Sequence, residues 1–307
     1  MPAALRLFLP EAWTADPARL GKAGVPSDRR TFRTKPEIAL SEVDRVIAAG
    51  VRFGRVLADA GYGLSAPFRQ GLSARGLAWA VGIPRHRKVY PAGVALVFPI
   101  AGRGRPRQRH VPDQPSVAAE KMLAEVDWQL VSWRRGTKGK LAARFAAVRV
   151  RVADGSPQRI GSLGAQPMPG EEVWLVGECR ASGERKYYLA NLPAGTGLKT
   201  LAAAIKARWL CEQAHQQLKE ELGLDHLEGR SWTGLHRHAL MTLIAFAFLQ
   251  HQRLAAAGRG KSRRRTTTPA EPAGGAAGHR RSPDASAPAA DAMPPPPTMD
   301  HAAAIPA

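Results

Sequence analysis

Apolar residues recur every three to four positions through residues 36–49, where Ile38, Leu40, Val43, Val46 and Ile47 fall on one side of a helical wheel. That spacing predicts an amphipathic helix, and Gly50 stands where a C-terminal cap belongs. The period then changes. Residues 53–58 (FGRVLA) run apolar into Asp59 and a Gly61-Tyr62-Gly63 turn, residues 65–71 open another helix, and 77–81 give a second short strand. Strand, acidic residue at its C-terminal end, turn and helix in that order predict an α/β layer with its chemistry at the carboxyl ends of the strands.

From 85 to 191 the texture is β. Short strands are predicted at 128–134 (WQLVSWR), 145–152 (FAAVRVRV), 173–178 (VWLVGE) and 186–191 (KYYLAN), bounded by Gly, Pro and Asp, and together they suggest an antiparallel insertion. The helical period returns from 198 to about 222, residues 224–232 form a polar turn region, and 235–254 make a second helix with a strongly apolar middle. This pair is expected to close the fold. Residues 258–307 hold 9 of the 25 prolines, many alanines and no aromatic residue, so a disordered tail is expected there.

Composition sharpens this picture. With 307 residues and 44% hydrophobic positions the chain can bury a real core. Its net charge is +20, and the tail holds seven basic against four acidic residues, which leaves +17 on the folded body. Such an excess points to a polyanion, and nucleic acid is the first candidate; the alternative is a base composition that favours Arg and Ala. The loops 102–109 (GRGRPRQR) and 134–140 are basic and glycine-punctuated, as a DNA-facing loop or a merely solvated one would be. Two cysteines, Cys179 and Cys211, suit a reducing compartment and are too few for a disulfide framework. The longest apolar run, 239–249, falls short of the ~20 residues that span a bilayer. The first residues lack the features of a signal peptide. A cytoplasmic protein with no membrane partner is expected.

Around residues 203–222 a wheel at about 100° per residue sets Glu212 near 40°, His215 near −20° and Lys219 near 20° from Arg208, with Ala207, Leu210, Cys211, Ala214 and Leu218 on the other side. On spacing alone the plainer reading is an ordinary exposed face, with Arg208 and Glu212 as an i,i+4 pair contributing ~0.2–0.5 kcal/mol.

The string ARWLCEQAHQQLKEELGLDHLEGRSWTGLHRH (207–238), taken with VLADAGYG (56–63), LFLPEAW, FRTKPEIAL and YYLANLP, resembles the DDE superfamily of insertion-sequence transposases. The similarity is to the branch with a Tyr-x2-Arg-x3-Glu-x6-Lys signature, whose spacing Arg208, Glu212 and Lys219 match. The resemblance implies an RNase H-like α/β core with a β-rich insertion between the second and third catalytic acids. The domains would then be a first part of the core at 1–84, the insertion at 85–191, the C-terminal core helices at 192–257 and the tail at 258–307. It also implies Asp59 as the second acid and Glu212 as the third, both catalytic and both ligands of Mg²⁺ or Mn²⁺. Hard divalent ions take oxygen ligands and, in pairs, activate the attacking oxygen and stabilise the leaving one. Arg208 and Lys219 would clamp phosphate, and His236, Arg237 and His238 would meet phosphate or orient the turn. The implied partner is double-stranded DNA at transposon ends, handled by a possible homodimer.

Two departures bear on activity. Ile205 stands where the signature has Tyr. The first catalytic Asp of the family lies on an early strand upstream of the segment that LFLPEAW resembles, and Asp16, Asp28 and Asp44 sit in loops or a helix that do not suit the role. The expectation is an incomplete core with its early strands missing, exposing apolar edges, and a catalytically impaired fragment. The alternative is a non-enzymatic DNA-binding or inhibitory remnant. Cys211 and His215 lie on opposite helix faces, against a zinc site with nearby His226, His236 and His238. Trp232 could stack on a base or serve as a core or hinge residue.

Overall fold

A computed structural model describes residues 2–98, 109–136, 139–160 and 164–265, with side chains through 256. The loop at 102–108, Lys138 and the tail beyond 265 lie outside the described residues.

The N-terminal segment forms two short helices, α1 (Glu11–Thr14) and α2 (Pro17–Lys22), followed by α3 (Lys35–Ala48). The predicted amphipathic helix is α3, started by a capping box in which Thr34 and Glu37 bond each other's backbone N–H groups. Gly50 follows it with φ +74°. Then come β1 (Val56–Ala58), the single turn α4 (Ala60–Gly63), α5 (Ala66–Ala74) and β2 (Trp79–Ile83), with β1 parallel to β2.

The β segment contributes β3 (Lys88–Pro91), β4 (Leu96–Val97), β5 (Val111–Pro112), β6 (Val117–Ala118), β7 (Gln129–Gly136), β8 (Gly139–Arg159), β9 (Ala165–Cys179) and β10 (Arg185–Ala190), with the short helix α6 (Ala119–Met122) after β6. The main path of the large sheet runs β1-β2-β10-β9-β8-β3-β6, with β7 also on β8. Strand β10 pairs antiparallel with both β2 and β9, so most of the β segment continues the core sheet, while β4 and β5 pair with each other in a separate two-stranded sheet.

Side chains alternate across this sheet as a period of two requires. Trp79, Val81, Val173, Leu175, Tyr187 and Leu189 pack with Phe68 and Leu72 of α5 on one face. Ala80, Val176, Ala190 and Phe145 pack on the other against Leu201, Ala204 and Ile205 of α7 (Leu198–Lys206). The result is a mixed α/β architecture with helices on both faces of a mostly antiparallel sheet, consistent with an RNase H-like nuclease core.

Three features depart from the sequence reading. The helix expected from 198 to 222 is two helices, α7 and α8 (Trp209–Glu220), separated at Ala207 and Arg208. There the N–H groups of Arg208, Leu210 and Cys211 bond carbonyls three residues back, a tightening that a hydrophobic wheel does not register. Leu210 and Cys211, expected on the core face, are exposed, and α8 buries only Leu218.

The last helix, α9 (Trp232–Arg265), continues past the expected start of the tail. It buries Ala239, Thr242 and Phe246 but exposes Leu240, Met241, Ile244 and Phe248, so its apolar middle is wider than the surface available to cover it. Strand β1 is an edge of the sheet, with no described strand on its outer side. Among the described residues no helix is long and apolar enough to cross a membrane.

Candidate functional site

Asp59 follows the last residue of β1 and turns the chain into α4. Its carboxylate accepts from the N–H groups of Gly61 (2.9 Å) and Tyr62 (3.3 Å), an N-cap that accounts for an acidic residue at this turn. Two glycines allow the turn to sit on β2: a Cβ on Gly63 would lie 1.8 Å from the Gly82 carbonyl oxygen, and one on Gly82 would lie 3.0 Å from Ala60 N. The amino end of β2 is tied by Asn191, whose Oδ1 accepts from Trp79 N–H at 2.6 Å and whose amide donates to the Leu77 carbonyl at 2.9 Å.

This arrangement puts Asp59 at one side of a cleft of about 970 Å³. Arg208 and Glu212 line the same cleft, and the Arg208 guanidinium clasps the Glu212 carboxylate one turn along. The helix break at Ala207 and Arg208 is what turns Trp209 into this space; the Arg134 guanidinium of β7 lies 3.9 Å from the centre of its ring. Arg85, Arg180, Arg185, Lys186 and Lys206 also line the cleft. Counted with Arg134 and Arg208, seven cations face two carboxylates. A field of that sign concentrates an anionic backbone.

Behind the cleft wall stands a buried ionic group. The Glu178 side chain is 1% exposed and accepts from Lys206 Nζ (2.7 Å) and the Tyr188 hydroxyl (2.9 Å), with Arg180 Nε at 3.4 Å. Burial alone would push the Glu178 carboxyl up, but its bonds to Lys206 and Tyr188 hold it below the ordinary glutamate value. Burial, reinforced by the Glu178 charge, pushes the Tyr188 phenol well above the ordinary tyrosine value.

Of the residues singled out from sequence, the structure brings Asp59, Arg208 and Glu212 together. Lys219, His236, Arg237 and His238 are not in the cleft lining. Lys219 and Arg237 are exposed. His236 Nδ1 lies 2.8 Å from the Trp232 carbonyl and His238 Nε2 lies 2.9 Å from the Gly223 carbonyl, which leaves one nitrogen of each ring for another partner. Trp232 packs against the cluster of Leu9, Leu20 and Val25, and its ring centre is 4.2 Å from that of His236, as a core residue would be.

Sequence reasoning missed Arg85, Arg180, Arg185, Lys186 and Lys206, which come from three separate stretches that only the sheet register assembles. Trp133 and Arg134 carried a signal, a tryptophan beside a basic run, but nothing placed them opposite Trp209.

A mostly antiparallel sheet of this topology, with a carboxylate at the end of its edge strand, is consistent with an RNase H-like α/β nuclease fold. Residues 1–140 match the family described as DDE superfamily endonuclease, so the chain resembles that superfamily over this stretch, which includes Asp59 and ends before Glu212. Among curated proteins no relative matches. The similarity implies transposase-type nuclease chemistry and DNA as the substrate class.

Nucleases of this superfamily generally use divalent metals. The donor set here does not fit a two-ion centre. Among the described residues no three His, Cys, Asp or Glu side chains are grouped to hold an ion. Asp59 spends one oxygen on two backbone N–H groups, and Glu212 is held by Arg208.

Proposed function

We propose that this chain binds double-stranded DNA of a transposable element in the cleft between Asp59 and Glu212, as the DNA-gripping part of a transposase. The observation that carries this reading is the seven-to-two excess of cations over carboxylates in a cleft flanked by Trp133 and Trp209. Arg208 and Arg134 are the phosphate contacts, suited to it by the planar guanidinium fork. Lys219 and Arg237 meet the duplex outside the cleft, and the spare nitrogens of His236 and His238 are available to it. Strand cleavage is impaired because two carboxylates do not make the ligand set that two bridging cations require. Bound in this way, the protein occupies DNA ends without cutting them, and it sits with the nucleoid.

The match to DDE endonucleases favours a second reading, in which the same cleft cuts and joins DNA with Mg²⁺ or Mn²⁺. One experiment separates them. Purified full chain is titrated with duplex DNA across a range of salt, then incubated with the duplex and Mg²⁺ or Mn²⁺. The first reading expects log K to fall steeply with log[salt] and no nicking. Metal-dependent nicking that Asp59→Ala and Glu212→Ala both abolish would establish the second. Weak, salt-insensitive association would refute both.

A further inference from the structure

The second concentration of positive charge lies in the N-terminal segment, in a shallow recess that shares no lining residue with the cleft. Arg6, Arg29 and Arg33 converge on it together with Thr31, and Trp232 forms part of its wall. Several guanidinium groups elsewhere in the chain each have a carboxylate within 3 Å: Arg69 has Asp154 at 2.5 Å, Arg75 has Asp44 at 2.6 Å, Arg149 has Glu172 at 2.9 Å. Here three guanidinium groups share two carboxylates, Glu42 and Asp28.

The Arg6 side chain is only 15% exposed, and its nearest carboxylate, Glu42, lies 3.9 Å away and is held by Arg45 at 2.6 Å. Of the other acids of the neighbouring helix, Glu37 is engaged in the Thr34 capping box and Asp44 by Arg75 at 2.6 Å. Asp28 sits outward against Arg29 at 3.0 Å. Arg33 donates to the Ser41 hydroxyl at 3.1 Å, a neutral partner. Burial lowers the Arg6 pKa, and the charges of Arg29 and Arg33 lower it further. Guanidinium does not shed its proton in compensation. Glu42 and Asp28 offset part of this repulsion, and an anion among the three groups would offset more.

We propose that Arg6, Arg29 and Arg33, with the Thr31 hydroxyl, form a phosphate-binding recess that grips a backbone phosphate of the duplex outside the cleft. Three guanidinium groups offer forked donors that match phosphate oxygens. Because Trp232 opens α9 and bonds the Ala23 carbonyl at 2.8 Å, the recess is fixed to the start of the last helix as well as to α3. The duplex as ligand rests on the preceding reading, whereas the recess as a phosphate site does not.

The test uses the full chain and the R29Q/R33Q double variant, which leaves the mostly buried Arg6 in place and alters no residue of the hydrophobic clusters. In the first arm the thermal midpoint is followed in inorganic phosphate and in sodium chloride of equal ionic strength. The parent is expected to rise in phosphate and the variant not to. In the second arm duplex affinity is measured against salt, and the variant is expected to show a slope shallower by about 0.9, the loss of one phosphate contact. A shallower slope with no response to inorganic phosphate still supports a backbone phosphate. A phosphate response with an unchanged slope would overturn the duplex in favour of free phosphate, and the absence of both effects would overturn the recess. Failure of the parent to bind any duplex would sink the preceding reading and the duplex ligand with it, while the thermal arm would still decide the recess.

Discussion

Lys206 Nζ lies 2.7 Å from Glu178 Oε1, and this bond fastens the last residue of α7 to β9 two positions before Arg208. Glu178 is essentially without solvent access, so removing one partner leaves the other charge uncompensated. Glu178→Ala is expected to cost about 3–5 kcal/mol, read as a lower urea midpoint. Glu178→Gln should cost less, because its amide oxygen still accepts from Tyr188. The sign with pH follows from the direction of the shift. A carboxyl held below its unfolded value contributes stability above the unfolded pKa, near 4.3 for a glutamate, and loses it as pH falls through the folded one. Stability of the parent should therefore fall on acidification below about pH 4 more steeply than that of E178Q.

Arg69 of α5 and Asp154 of β8 form a second buried pair, at 2% and 6% side-chain exposure. Asp154→Ala is expected to destabilise by about 3–5 kcal/mol, whereas the double variant R69M/D154L should recover much of that loss, since an apolar pair replaces a buried ionic one at little cost. Chemical denaturation of the two single variants and the double one measures the coupling. Additive losses would show that the pair does not act as a unit.

Gly63→Ala brings a methyl group against the Gly82 carbonyl at a separation no relaxation of a side chain can relieve, because both sides are backbone. The α4 turn must lift off β2. A loss of about 1–3 kcal/mol is expected, together with weaker duplex binding, because Asp59 and the cleft wall move with the turn. Unchanged binding with reduced stability would separate the turn from the cleft.

Asp59→Asn and Glu212→Gln each remove a negative charge from a cleft proposed to hold phosphates. Without divalent metal each variant should bind duplex about fivefold more tightly at low salt, or ~1 kcal/mol, and the gain should shrink as salt rises. Titrations of both variants in chelator and in Mg²⁺ decide the sign. Loss of binding confined to Mg²⁺ would instead show that the two carboxylates recruit a cation to the DNA.

Where the chain repeats a strong local pattern, the sequence was sufficient. The helix expected at 36–49 and the strands expected at 128–134, 173–178 and 186–191 correspond to α3, β7, β9 and β10. Strands β3 to β6 have too few residues to show a period, and β8 runs beyond its apolar stretch at both ends, toward its start through pairing with β7 and past Ala153 through register shifts that let the β9 ladder continue among polar residues. Asp59 and Glu212 were singled out by the resemblance to DDE transposases, since spacing alone suggested only an exposed helix face, and both line the cleft. The rest of the cleft was not, because register alone sets Arg185 and Lys186 beside residues more than a hundred positions away. The convergence of Arg6, Arg29 and Arg33 likewise depends on how the N-terminal segment packs.

The two carboxylates of the cleft differ in how they are anchored. Asp59 is seated beside β2, which is buried along its whole length, whereas Glu212 rides on α8, which buries Leu218 alone and begins at the turn at Ala207 and Arg208. The sheet thus acts as a bench and α8 as a jointed arm clamped to it through Arg134 and Trp209. Folding positions the bench. The seat of Glu212 therefore depends on that clamp, whereas the seat of Asp59 does not.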